Sequence, residues 1–303
     1  MQFSRLFWWI FRRSFKLAAL GGVAYFGWNH FFNDNQRSKI SDFASGVYDS
    51  LTERFEAPIK KAIEVVELPA DPSLDEYVLA GAPIRGNRIT LLKNIGYVVA
   101  YDELRKNPAW VAYRLNHGER IKGAIGSRLK RLRVDGRTKS RVTHDFYTGS
   151  GYQRGHLAPN LAIALYYGRE AQLETFLMSN IAPQTAELNA GLWRDLEMLL
   201  AKELVAKCHE LWVIAGPIYI EQDEMESGVD IPAAYFKVIA DFTELGDLRL
   251  LAFVFPQTGL RGRLEDYLVS VDTVEYFTGL NFFSELSVSE QELIEEKAAS
   301  HIW

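Results

Sequence analysis

A chain of 303 residues in which 48% of the side chains are apolar can bury a sizeable core and is an ordinary globular protein, not a low-complexity or disordered one. A single cysteine, Cys208, excludes an internal disulfide framework, so packing alone holds the fold. A formal net charge of -5, taken over the whole molecule, argues against a nucleic-acid partner, because phosphate binding is driven largely by Lys and Arg.

The chain opens with Arg5, Arg12, Arg13 and Lys16 ahead of the run LAALGGVAYFGW, Leu17 to Trp28. That run is shorter than the roughly 20 residues of a spanning helix, but LFWWIF upstream and Phe31 and Phe32 downstream extend it, with the arginines snorkelling. A cleaved signal peptide is the competing reading. No small-residue cleavage site follows the run, so residues 1–33 are predicted to be an uncleaved membrane anchor. The preceding positive charges put the rest of the chain outside the cytoplasm, on the periplasmic side of a bacterial membrane or in the intermembrane space of an organelle.

Next, Ile40, Phe43, Val47, Leu51, Phe55, Ile59 and Ile63 recur every three or four residues, the period of an apolar helical stripe. With Pro58 inside it and Pro69 and Pro72 beyond, the segment 34–70 reads as a broken amphipathic stalk. A dimerisation helix, and hence a homodimer, is the alternative use of that stripe.

The remainder, 71–303, shows no internal repeat and is treated as one domain. GYVVAYDE (96–103), WVAYRL (110–115), LWVIAGPIYI (211–220), AYFKVIADF (234–242) and LRLLAFVFP (248–256) are short and rich in β-branched and aromatic residues, which predicts strands. Helical spacing over Gln172–Met178 and Leu192–Cys208 completes an α+β prediction: an antiparallel sheet with helices on its faces.

Between Arg114 and Arg141 stand ten basic residues (Arg114, Arg120, Lys122, Arg128, Lys130, Arg131, Arg133, Arg137, Lys139, Arg141) against Glu119 and Asp135. Alone, such a run is usually a solvated surface loop. It is followed, however, by TGSGYQRGHLAPN and then FLMSNIAPQTAELNAGLWRDLE. Phosphodiester hydrolysis needs a base working near neutral pH, for which histidine is suited, and His156 is the candidate. It also needs a hard cation held by few protein oxygens, and Asn189 offers one. Glu197, on a helix starting near Gly191, would point back to hold water at that cation, and arginine forks bind the remaining phosphate oxygens. Each residue also has an ordinary role open to it: His156 a core histidine, Asn189 a helix N-cap, Glu197 an exposed helical carboxylate. His117, His144 and His209 lack ligand spacing with one another, while Tyr152 and Trp193 read as packing residues that brace the site.

These segments, with GAPI at 81–84, VIAGPIYI, FKVI and TVEYFTGLNFF in the same order, resemble the DNA/RNA non-specific endonucleases of ββα-metal fold, the endonuclease G-like group. The resemblance covers some 200 residues. It implies that His156 activates water, that Asn189 ligates a single Mg2+ or Mn2+, and that Glu197 positions water at the metal. Arg154 and Arg128 match arginines that support the site and contact phosphate, though Arg131 and Arg133 lie close to Arg128. Asn180 and Gln184 match structural polar positions near the metal loop. DNA and RNA are the implied substrates, cut with little sequence preference to leave 5′ phosphates.

One position departs from the pattern. Gln153 stands where the family usually has Asp, giving QRGH for DRGH; glutamine keeps hydrogen bonding and loses the negative charge. Two other readings follow: a nucleic-acid-binding protein that has lost turnover, or a phosphodiesterase on a smaller diester. Retention of base, metal ligand and helix glutamate favours an active nuclease.

Overall fold

The structure, a computed structural model, describes residue 74 and residues 76–83, 89–121, 125–127, 129–220 and 223–303. The expected anchor (1–33) and stalk (34–70) lie outside the described residues, as does Arg128. Among the described residues, no helix is long and apolar enough to cross a membrane.

Strands β1 (Ile89–Asn94), β2 (Tyr97–Asp102), β3 (Asn107–Asn116), β6 (Glu210–Ile218), β7 (Ala234–Phe242), β8 (Leu248–Pro256) and β9 (Leu268–Val269) form an antiparallel sheet in that order. The five strands expected from composition are all present, β2, β3, β6, β7 and β8, and they fill its middle. Strands β4 (Gln153–His156) and β5 (Ile181–Gln184) pair with each other instead, Gln153 opposite Gln184 and His156 opposite Ile181. Neither was expected, since β4 carries no β-branched residue and β5 contains Pro183, which normally demotes a run.

Period-two alternation gives the large sheet two apolar faces. Val98, Ala112, Ile214, Phe236, Val238 and Val254 belong to one core, which also buries Val271 and Val274 of a helix over Val271–Thr278. The opposite residues of the same strands, among them Tyr113, Val213, Tyr235, Lys237, Phe253 and Phe255, are equally buried. Against this second face lie the β4–β5 hairpin and its helices: Tyr235 donates its hydroxyl to the Pro183 carbonyl at 2.6 Å, and Trp193 packs edge-on against Tyr235 and Phe255.

Helix α1 (Asn160–Glu174), interrupted at Gly168 with φ 86°, starts earlier and ends sooner than the expected Gln172–Met178 helix. Its first half, Ala162 to Tyr166, is buried on all sides and so shows no amphipathic period. Its end is fixed by pairing with the basic stretch: Arg133 N–H donates to the Phe176 carbonyl and Met178 N–H to the Arg133 carbonyl, both at 2.8 Å, which draws residues 176–178 out of the helix. Met178–Asn180 then forms a tight turn into β5. After β5 come the short α2 (Ala186–Ala190) and α3 (Leu192–Leu199), whose helical path continues through a π turn, Leu200–Leu204, into α4 (Val205–Cys208). This matches the expected Leu192–Cys208 helix as a continuous rod with one widened turn.

Candidate active site

Two strands, β4 and β5, and the helices α2 and α3 carry the residues singled out from sequence. Gln153, Arg154 and His156 lie on β4, Asn180 immediately before β5 and Gln184 at its end, Asn189 on α2, and Glu197 on α3. The sequence makes this compact for identifiable reasons. Thr185 caps α2 by accepting from Leu188 N–H at 3.2 Å, and its hydroxyl donates to the Gln257 carbonyl. Gly155 admits the buried Gln184 side chain against its backbone; a Cβ built there would overlap it.

Asn189 is not a helix N-cap; it lies inside α2, and Gly191 occupies the cap of α3. Its side-chain N–H donates to Gln153 Oε1 at 2.7 Å. The donor end of the amide is thereby engaged, and its Oδ1 bonds to no protein donor among the described residues. That is the polarity a hard cation requires of an amide ligand. Asn189 and His156 are thus joined through β4 rather than by a direct hydrogen bond.

His156 is half-buried, with its ring edge-on to Phe176 at 5.7 Å between centroids. Its main-chain carbonyl accepts from the indole Nε1 of Trp193 at 3.3 Å, so the first turn of α3 braces the strand that carries it. Trp193 is 1% exposed. Glu197, four residues on, stands on the same face of α3 and is not an exposed helical carboxylate: its side chain is 18% exposed and its Oε1 lies 3.7 Å from the Nζ of Lys237.

Two expected residues have structural duties. Asn180 is wholly buried, accepting from Ala158 N–H at 2.8 Å and donating to the Ala158 and Thr175 carbonyls, which fixes the loop after His156. Arg154 donates to the His144 carbonyl at 3.1 and 2.9 Å and to the Thr148 hydroxyl at 3.0 Å, and its guanidinium stands over the Tyr147 ring. It supports the site by clamping the 144–148 turn. His144 completes that clamp by accepting Leu132 N–H on Nδ1; burial, then Arg154 and Arg131, pushes its pKa down and favours the neutral ring that can accept.

Much of the basic stretch is also engaged internally. Arg114 pairs with Glu119 and Glu210, Arg131 with Asp145, and Arg133 donates to the Leu173 carbonyl. Arg137 binds Asp135, Asn94 and the Lys93 carbonyl, and buried Asp135 in turn accepts from the Ser179 hydroxyl at 2.6 Å, beside Asn180. Arg120, Lys130, Lys139 and Arg141 are exposed, with no side-chain hydrogen bond or ion pair among the described residues.

Sequence reasoning missed Lys237, which is 0% exposed on the central strand β7. Its signal was a lone lysine inside the apolar run AYFKVIADF, and a buried lysine is rare enough to single out.

The model of the DNA/RNA non-specific endonuclease family matches residues 80–289. The chain is 32% identical over 235 residues to the mitochondrial nuclease EXOG of Xenopus laevis, covering 71% of this chain and 63% of that protein. It is 30% identical over 247 residues to a nuclease of Nostoc sp., covering 75% of this chain and 87% of that protein. Mitochondrial endonuclease G of Homo sapiens is 30% identical over 202 residues, or 61% of this chain and 67% of that protein. Among solved structures, the EndoG/EndoGI complex contains a chain with the same fold, at TM-score 0.62 and 24% identity, covering 73% of this chain and 95% of that one. With two thirds of its length matched by the family model and its strands and helices arranged as described, the chain belongs to the DNA/RNA non-specific endonuclease family.

Proposed function

We propose that this protein is a metal-dependent endonuclease that hydrolyses phosphodiester bonds in DNA and RNA, with His156 as general base and Asn189 as the protein ligand of one Mg2+ or Mn2+. The observation that carries the reading is the Asn189–Gln153 hydrogen bond, which engages the amide N–H and leaves the amide oxygen for a hard cation, and which ties Asn189 to the strand that carries His156. The donor fits such an ion: a neutral amide oxygen, with no cluster of three or more cysteine and histidine ligands among the described residues to favour a softer metal. When bound, the dication neutralises charge on the scissile phosphate and on the departing oxygen.

The chain's own residues do the rest. His156 takes the proton of the attacking water, its position fixed by the Trp193 hydrogen bond to its carbonyl. Glu197 orients water beside the reacting phosphate. Arg154 rigidifies the adjacent turn, and Arg128 is assigned to phosphate contact on the resemblance. Cleavage that leaves a 5′ phosphate, with little sequence preference, follows from a site addressed to the backbone, since phosphate contacts carry no base information directly. The membrane anchor over 1–33, the stalk over 34–70, the homodimer, the 71–303 nuclease domain and an extracytoplasmic location belong to the same proposal and are supported by the sequence.

A turnover-deficient binding protein is the weaker reading, because Gln153 supplies the hydrogen-bond acceptor to Asn189 despite lacking the charge of Asp. Incubating the purified full-length chain with supercoiled plasmid decides between them. Mg2+ or Mn2+ should give nicked and then linear DNA, chelator should stop it, and His156→Ala should lower the rate by about 100-fold to 10,000-fold. Absence of cleavage with either ion overturns the proposal.

A further inference from the structure

Strands β3 and β6 pair as far as Asn116 opposite Glu210, and the chain places a histidine one step further out on each side. His117 opens a short 3-10 helix, His117–Glu119, directly after β3. His209 ends the helical rod of α3 and α4 directly before β6. The ladder reaches this pair through the His117 N–H, which donates to the His209 carbonyl at 2.7 Å. Residues facing each other across an antiparallel ladder send their side chains to the same side, with Cβ atoms about 5 Å apart. The two imidazoles accordingly meet, at 6.4 Å between centroids with their planes at 70°. Their remoteness in sequence hides a juxtaposition that strand pairing creates.

Both rings are exposed, and neither makes a side-chain hydrogen bond or ion pair among the described residues. The acidic neighbours are engaged elsewhere: Arg114 holds Glu119 at 2.9 Å and Glu210 at 2.6 Å. His209 also stands at φ 65°, where a residue with a β-carbon is strained and glycine is the usual helix terminator. Core packing does not account for a histidine there, because its ring faces solvent.

We propose that His117 and His209 form a binding site for a borderline divalent ion, Zn2+, which completes its coordination with water. Imidazole nitrogen suits Zn2+, whereas Mg2+ takes oxygen ligands, so this site is chemically distinct from the Asn189 amide and independent of the functional reading above. Two imidazoles on one tetrahedral ion lie about 5 Å apart between centroids, so a side-chain movement of about 1 Å closes the rings on it while the backbone bond stays. An ion held there ties the C-terminal end of the rod that carries Trp193 and Glu197 to the end of β3.

The test titrates the full-length protein with Zn2+ by calorimetry in saturating Mg2+. Wild type is compared with His117→Gln, His209→Asn, the double variant and His156→Ala. Asparagine tolerates the left-handed backbone at position 209. His156→Ala should bind Zn2+ as wild type does. Loss of either His117 or His209 should weaken affinity by about 100-fold, and the double variant should fall little further, since a single imidazole has no chelate left to lose. Saturating Zn2+ should raise the melting temperature of wild type and leave that of the two single variants unchanged. Wild-type affinity retained in His117→Gln or His209→Asn overturns the inference, as does affinity lost in His156→Ala.

A second measurement needs no variant. One equivalent of Cu2+ added to the wild type is read by electron paramagnetic resonance: coupling to two nitrogens supports the pair, and coupling to one or none overturns it. A wild type that cuts plasmid and binds no Zn2+ takes down this inference alone, and one that binds Zn2+ at the pair without cutting takes down the functional reading alone.

Discussion

The side chain of Gln153 accepts the amide N–H of Asn189 at 2.7 Å, so the residue that departs from the family pattern is bonded to the proposed metal ligand. The geometry needs an acceptor at position 153, and either a carboxylate or an amide oxygen supplies one. Replacing Gln153 with Leu frees the Asn189 amide to rotate, and the expected loss is about 10-fold to 100-fold in cleavage, with a raised Mg2+ requirement. Gln153→Asp keeps the acceptor and should stay within about tenfold of wild type. Plasmid nicking across a Mg2+ titration measures both. Equal activity in Gln153→Leu and wild type would remove position 153 from the site.

Trp193 links α3 to β4 and to the large sheet at once. Trp193→Phe removes the hydrogen bond to the His156 carbonyl while keeping an aromatic ring, and should cost about 1 kcal/mol. Trp193→Ala also opens a cavity against Tyr235 and Phe255, and should cost about 3–5 kcal/mol. Urea unfolding gives both values. A Phe variant as destabilised as the Ala variant would show that the hydrogen bond, not the ring, does most of the bracing.

Gly155 gives the hairpin its close approach. A methyl group at that position meets the Gln184 side chain, which is itself fully buried and has little room to yield. Gly155→Ala should therefore destabilise the protein by about 1–3 kcal/mol and reduce cleavage, since the clash falls next to His156. Gly149 and Gly151, with open space around their Cβ positions and positive φ of 80°, should lose stability only through backbone strain. Thermal denaturation of the three alanine variants compares the two causes.

Asp135 makes the protein acid-sensitive. Burial raises its pKa, but bonds from Arg137 and Ser179 outweigh that and hold it below the ordinary 3.8. A carboxylate depressed in the folded state contributes stability that is fully present above its unfolded pKa and is lost as pH falls through its folded value. The stability gap between wild type and Asp135→Asn should accordingly be constant above pH 3.8 and narrow below it. Denaturant titrations at a series of acidic pH values check this, and a gap that widens toward low pH would contradict it.

How far the sequence revealed the molecule depended on which residues carried a local signal. Strands β2, β3, β6, β7 and β8 were legible because β-branched and aromatic residues dominate them. The β4–β5 pair was not, since Gly155 and Pro183 oppose strand formation and tertiary contacts, among them the docking of Tyr235 and Gln257 on the Pro183 carbonyl, hold β5 in place. His156, Asn189 and Glu197 were singled out as candidates through the ordered motif rather than through periodicity. The partnership of Glu197 with Lys237 spans forty positions of chain and leaves no local trace beyond an odd lysine in an apolar run.

The internal pairing of Arg114, Arg131, Arg133 and Arg137 bears on how binding should respond to ionic strength. A guanidinium already facing a carboxylate or a carbonyl has few condensed counterions to displace from a polyanion, so these four add little to the salt exponent of substrate affinity. Neutralising Lys130 or Lys139 should flatten a plot of log affinity against log salt by about one per residue, whereas neutralising Arg137 should leave the slope alone and lower the melting temperature. The formal charge of the stretch thus overstates its grip on a polymer, and ionic strength will tell apart the arginines that hold the protein together from the cations that hold its substrate.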